Sequence, residues 1–174
     1  MAFSGQTPML REEVFDREEQ SEPFGVLTPD GDLIDESMLR YLSEDAMIDI
    51  YEDMKLIRRY DRQAVSLQRQ GRSGTYPPLY GHEATQIGSV QALNDDDWLV
   101  PSYRENGAMI AKGVSLSRNL LYWMGHNAGS DFSEGTNVFP ITNPIATHLP
   151  IATGMAWAAK LRGESRAVLC HFGD

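Results

Sequence analysis

Three short stretches carry side chains whose types suit one piece of chemistry. Tyr103-Arg104 lies within Pro101-Ser-Tyr-Arg-Glu-Asn-Gly107, and an arginine presents a fixed cationic fork that matches phosphate oxygens. Asn143-Pro-Ile145 offers free backbone donors and acceptors where an element begins. Gly173-Asp174 ends the sequence with a hard carboxylate oxygen suited to Mg²⁺. Singly, each has a plain reading: a Tyr-Arg pair is usually a surface ion-pairing residue, and a Gly-Asp pair is usually a turn. Together they could hold a diphosphate, its metal and an attached ring system.

The elements expected around them bring them to one edge. The run Ala167-Val-Leu-Cys-His-Phe172 is short and mostly apolar, as in a buried parallel strand, and Gly173-Asp174 follows at its carboxyl end. Trp98-Leu-Val100 reads as a second strand, with Tyr103-Arg104 just past it. In open α/β sheets, ligands bind outside the carboxyl ends of the strands. Ser43 can cap a long helix running to about Gln70, with Met47, Ile50, Tyr51, Met54, Ile57, Ala64 and Leu67 as its core stripe and Gly71 as its stop. Arg58, Arg59 and Arg62 late in that helix suit its dipole and are assigned no chemistry.

Residues 71–81 read as a loop, and 83–93 as a helix in which Ala84 and Gly88 would admit a close neighbour. Shorter helices are expected over 108–112 and 116–124, followed by an irregular stretch over 126–142. Asn143-Pro144 reads as a cap with a first-turn proline, and Pro150 should kink the helix beyond it or delay its start. The small residues Ala152, Gly154, Ala156, Ala158 and Ala159 suit that helix to tight packing. Nearer the N-terminus, Thr28-Pro-Asp-Gly31 is a turn joining 24–27 to 32–34 as a small hairpin.

Charge separates the two ends of the chain. The net charge is −10, and the first 50 residues hold 13 acids against Arg11, Arg17 and Arg40, whereas the remainder is balanced. Residues 1–24 are therefore expected to be an acidic flexible or docking arm, and 25–174 the folded part. Nucleic-acid binding is disfavoured by this balance, and a mitochondrial presequence by the acids. No run approaches the ~18 apolar residues of a membrane span. Cys170, alone in the chain, reads as a core thiol, so a reducing cytoplasm is the expected location. Because the sequence stops within the Gly173-Asp174 motif, the chain is expected to be the front part of a larger cofactor-binding subunit.

Taken in order, four segments match one family. They are Gly71-Arg-Ser-Gly-Thr-Tyr-Pro-Pro-Leu-Tyr-Gly-His-Glu-Ala84, Pro101 to Gly107, Glu134-Gly-Thr-Asn-Val-Phe-Pro140 and Ala167 to Asp174. The chain resembles, from about Asp30 onward, the alpha subunit of the thiamine-diphosphate-dependent 2-oxo acid dehydrogenases. That resemblance implies an α/β thiamine-diphosphate-binding fold, a parallel sheet flanked by helices, present here as its N-terminal portion. It implies that Tyr103 and Arg104 hold the diphosphate, that Asn143 and Ile145 meet the aminopyrimidine, and that Gly173-Asp174 supplies a Mg²⁺ ligand, Asp174. In Gly125-His126-Asn-Ala-Gly129 the family's second histidine position is held by Ala128, and His126 could take the catalytic role instead. His82 reads as structural, and His148 and His171 as packing or hydrogen-bonding residues.

The activity implied is decarboxylation of a 2-oxo acid, pyruvate ahead of branched-chain acids, with reductive acyl transfer to a lipoyl group. The partners implied are a beta subunit, in an alpha2beta2 heterotetramer, and a lipoyl-bearing acyltransferase core. One alternative is a non-catalytic fragment or assembly subunit of such a complex. Another, an ordinary nucleotide-binding α/β protein, would call for a Gly-x-Gly-x-x-Gly turn after a strand, and the sequence has none.

Overall fold

A computed structural model describes residues 25–34, 37, 42–132 and 135–173. The expected acidic arm, residues 1–24, and the metal ligand Asp174 lie outside the described residues. The chain divides into two units between Ser43 and Glu44.

In the first unit the Thr28–Gly31 turn closes a small hairpin. Leu27 and Leu33 form an antiparallel bridge, the Ile34 amide donates to the Val26 carbonyl at 2.8 Å, and the Gly31 amide donates to the Thr28 carbonyl at 3.0 Å. Thr28 Oγ1 accepts from the Asp32 amide at 3.0 Å, the local side-chain bond that makes threonine a turn former.

The second unit opens with α1 (Glu44–Arg69), a helix long enough to span ~39 Å at ~1.5 Å per residue. Its stripe becomes core only in the second half, where Ile57, Tyr60, Asp61 and Ala64 are buried. Met47 and Tyr51, expected in the stripe, are 36% and 58% exposed, because the elements packed on α1 meet it further along. There α2 (Glu83–Gln91) and α3 (Asn106–Ala111) close over Ile57, Leu79 and Ile87, with Ile50, Met54 and Ile110 at the margin. Tyr60, Ala64 and Tyr76 make an aromatic corner with α4 (Leu116–Trp123), the Tyr76 and Trp123 rings meeting edge to face at 5.6 Å. Ala84 and Gly88 are exposed, and a Cβ built at Gly88 would meet nothing within 4 Å among the described residues.

β1 (Trp98–Val100) is central in a small parallel sheet. On one side it pairs with β2 (Val168–Cys170), Trp98 opposite Val168 and Val100 opposite Cys170. Opposite, it pairs with an extended segment inside the stretch expected to be irregular. The Leu99 amide donates to the Asn137 carbonyl at 2.9 Å, the Phe139 amide donates to the Leu99 carbonyl at 2.8 Å, and parallel bridges join Leu99 to Val138 and Ser102 to Thr142. Leu99 and Val100 are fully buried, Leu99 packing with Val90, Ala108, Met109, Val114 and Val138, which is why β1 is apolar on both faces. Cys170 is only half-buried, on the outer strand.

Of the two outcomes open to Pro150, a kink or a delayed start, the helix takes the delayed start. Asn143-Pro144 does not cap a helix: it heads a turn, and α5 (Leu149–Arg162) begins at Leu149 with Pro150 in its first turn. A proline fits there because its missing amide would have no helical partner. Within the turn, the Thr147 amide and Oγ1 both donate to the Pro144 carbonyl, at 3.4 and 2.9 Å. Ala146 takes a left-handed backbone conformation, φ 63°.

Candidate functional site

The strand pairing assembles the site. Ser102 and Thr142 are bridged, so the residues that follow them, Tyr103 and Asn143, leave adjacent parallel strands at the same edge. Val100 and Cys170 are paired on the other side, and three residues beyond them lie Tyr103 and Gly173. The carboxyl ends of three parallel strands therefore present Tyr103-Arg104, Asn143 and Gly173 together, with β1 in the middle.

Arg104 is held from two directions. Its Nη1 donates to the Pro78 carbonyl at 3.0 Å, and its guanidinium lies 5.5 Å from the centre of the Tyr103 ring. Its own carbonyl accepts from Gln86 Nε2 at 3.1 Å. Gln86 Oε1 accepts from the Gly107 and Ala108 amides at 2.9 and 3.2 Å, so one buried side chain fastens both ends of the 104–108 segment. Gly107 is required for this approach, since a Cβ there would lie 2.7 Å from both Gln86 Oε1 and Ile57 Cδ1.

The loop that carries Pro78 is fastened in turn. Buried Asp61 accepts from the Tyr76 hydroxyl at 2.9 Å and from the Leu79 amide at 2.8 Å. Arg58 Nε pairs with Glu83 Oε1, and Glu83 Oε2 accepts from the Gly81 amide at 3.0 Å. The Arg58 bond holds the Glu83 carboxyl below its usual range. Arg58 also stacks on Tyr80, 4.3 Å from the ring centre, so this arginine braces the loop.

Glu105 follows Arg104, and burial pushes its carboxyl above the usual range, with the charges of Arg104 and His82 pulling the other way. Its Oε2 is buried without a partner among the described residues. Two histidines meet at the end of the outer strand. Buried His148 donates from Nε2 to the His171 carbonyl, the atoms 2.5 Å apart, and His171 Nε2 lies 2.9 Å from Ser89 Oγ. Burial lowers the pKa of His171 below its ordinary value.

The remaining candidate residues are more open. Asn143 is exposed, and its Oδ1 accepts from the Tyr122 hydroxyl at 3.4 Å. Ile145 is 53% exposed, and Gly173 is exposed. His126 is also exposed: its Nδ1 accepts from the Ala128 amide at 3.2 Å and caps the 3-10 turn Asn127–Ser130. No contact among the described residues carries His126 to the strand edge, whereas Tyr122, on α4 four residues earlier, reaches Asn143. Tyr122, Gln86, Asp61 and Glu105 are absent from the sequence-derived site. Asp61 had a readable signal, an acid placed between Ile57 and Ala64 on the apolar stripe of α1.

Arg104 offers a guanidinium whose hydrogen bond among the described residues goes to a neutral carbonyl, and Asn143 and Gly173 present small, exposed surfaces beside it. These groups fit an anionic ligand with a ring system attached. Among the described residues no cluster of three or more His, Cys, Asp or Glu side chains could hold a metal by itself. No helix among them is long and apolar enough to cross a membrane.

A small parallel sheet flanked by helices, with polar and cationic groups gathered at its carboxyl edge, defines an α/β protein. Residues 51–174 match the family model described as "Dehydrogenase E1 component", and the chain belongs to that family. It is 32% identical over 159 residues to the pyruvate dehydrogenase E1 component subunit alpha of Staphylococcus aureus (strain Mu50 / ATCC 700699), covering 91% of this chain and 43% of the relative. The protein of the same name from Acholeplasma laidlawii is 35% identical over 144 residues, covering 83% of this chain and 42% of the relative. The chain thus spans less than half the length of these relatives.

Proposed function

We propose that this chain is the N-terminal part of the thiamine-diphosphate-binding domain of a 2-oxo acid dehydrogenase alpha subunit, which decarboxylates a 2-oxo acid, pyruvate ahead of branched-chain acids. The acyl group passes to a lipoyl group on an acyltransferase core, and a beta subunit completes an alpha2beta2 assembly. The observation that carries the reading is the strand register that lines up Tyr103-Arg104, Asn143 and Gly173 at one carboxyl edge. The names of the relatives and the family membership support it. Trp157 and Leu161, 62% and 74% exposed on α5, support a place inside an assembly.

In this reading thiamine diphosphate supplies the electron sink for the departing carboxyl carbon. The chain's own groups bind and orient. Arg104 would receive diphosphate oxygens, while the Pro78 carbonyl and Gln86 keep its segment in place. Asn143 and Ile145 would flank the ring system, and Asp174 would be a Mg²⁺ ligand. Tyr122 orients the Asn143 amide. The proposed location is the cytoplasm.

Calorimetry of Mg²⁺–thiamine diphosphate binding to the full-length polypeptide, purified with its partner subunit, tests the assignment. Arg104→Ala is expected to weaken binding at least tenfold, equivalent to ~1.4 kcal/mol or more. Asp174→Ala is expected to remove the dependence of binding on Mg²⁺. Binding that matches the unmodified protein in both variants would place the clamp and the metal ligand elsewhere.

A further inference from the structure

The turn carrying Asn143 and Ile145 and the strand exit carrying Gly173 come from different parts of the chain, yet one side chain joins them. His148 is 0% exposed and sits three residues beyond Ile145, at the end of the turn closed by Thr147 on Pro144. Its Nε2 donates to the carbonyl of His171, two residues before Gly173. The amide of His171 is already used, donating to the Val100 carbonyl at 3.2 Å as the last rung toward β1. The ring of His171 is held as well, through Ser89 Oγ. The amide, ring and carbonyl of His171 are therefore each tied, and the carbonyl depends on His148.

Nδ1 of His148 has no hydrogen-bond partner among the described residues. Burying an unpaired acceptor opposes folding, and an apolar side chain of similar size would avoid it. What the imidazole supplies that an apolar residue does not is a donor at Nε2 distance from its own backbone. An orphaned carbonyl at the strand exit would turn toward water or another donor and carry Gly173 with it.

We infer that His148 is a positioning residue that sets the spacing between the Asn143–Ile145 turn and the β2 exit through its Nε2 donor, an inference that rests on the cofactor-binding reading above. The bond acts through backbone placement, and His148 itself touches neither cofactor nor substrate. A glutamine amide reaches about as far as Nε2, whereas an asparagine amide reaches only about as far as Nδ1. The two variants therefore separate the donor's position from its mere presence.

The test uses the full-length polypeptide with its partner subunit and compares His148→Gln with His148→Asn. Calorimetry with Mg²⁺–thiamine diphosphate is the primary readout. His148→Gln is expected to bind within about threefold of the unmodified protein, and His148→Asn at least tenfold more weakly. At saturating cofactor the KM for the 2-oxo acid should stay unchanged in both. Equal cofactor affinity in the two variants, at either level, would overturn the positioning role. Absence of Mg²⁺–thiamine diphosphate binding in the unmodified protein would instead overturn the cofactor reading, a distinguishable result. If His148→Leu folds, it should behave as His148→Asn does, and normal affinity there would also overturn the inference.

Discussion

Arg104 and Gly173 stand at the same sheet edge but hang from different supports. The segment around Arg104 is tied to α1 and α2 by Gln86, Asp61 and the Arg58–Glu83 pair, most of them buried and each bonded to backbone or to a charged partner. Gly173 follows β2, a half-buried strand beside a groove of about 420 Å³ that α5 leaves open, with Trp157 and Phe172 62% and 61% exposed. On that side the fastening rests on a few polar bonds: Asp97 to the Ala167 amide at 2.6 Å, His148 to the His171 carbonyl, and the β1 rungs. The arm that carries Arg104 is thus preorganised by its own core, whereas the strand-exit arm depends on individual bonds.

The largest expected effect lies in the first region. Asp61→Ala would leave the Tyr76 hydroxyl and the Leu79 amide buried without an acceptor, which should cost about 3 to 5 kcal/mol in denaturant unfolding. Gly107→Ala should follow, at about 1 to 3 kcal/mol, because Gln86 and Ile57 must move away from the new methyl. A loss under 0.5 kcal/mol at both positions would break the contrast.

Acid should separate the two regions without mutation. His171 has a depressed pKa in the fold, so the stability it contributes is complete above its ordinary value of about 6.5 and fades as pH falls below that. Backbone donors from Ala167 and Asn94 depress Asp97, which adds a further loss as pH falls below its ordinary 3.8. Glu105 has the opposite sign: burial raises its pKa, so its ionisation opposes folding as pH rises from its ordinary 4.5. Hydrogen exchange, corrected for intrinsic rates, should show the Ala167 and His171 amides losing protection below about pH 6.5 before those of Leu79 and Gly107. Parallel loss at all four amides would erase the difference. The smallest effect is expected at Trp157→Ser, within about 0.5 kcal/mol by denaturant unfolding of the chain, since that ring is mostly in solvent.

What the sequence made readable follows the same division. Trp98–Val100 and Val168–Cys170 are legible as strands because burial on both faces of β1 demands an apolar run, and that alone points to a carboxyl edge. α1 is legible from its spacing, although the spacing could not say which half would be covered. Residues 137–142 escaped notice because their pairing is brief and interrupted by Pro140, which has no amide to give. For α5 two prolines compete for the first turn; the later start that Pro150 allows is the one adopted, and the Pro144 carbonyl is taken by Thr147. Gln86 could not be found from pattern at all. An amide on a short helix becomes a fastening only when a segment some 20 residues away arrives against it.

Ala146 gives the site one further property. A residue with a Cβ held at φ 63° stores strain of about 1 kcal/mol, and Ala146 directly follows Ile145, two residues before His148. Ala146→Gly should therefore raise the thermal midpoint of the chain. It would also widen the range of shapes open to a turn that, in the proposed function, presents one face to a rigid ring. Selection for heat tolerance and selection for a faithful mould pull in opposite directions at this alanine.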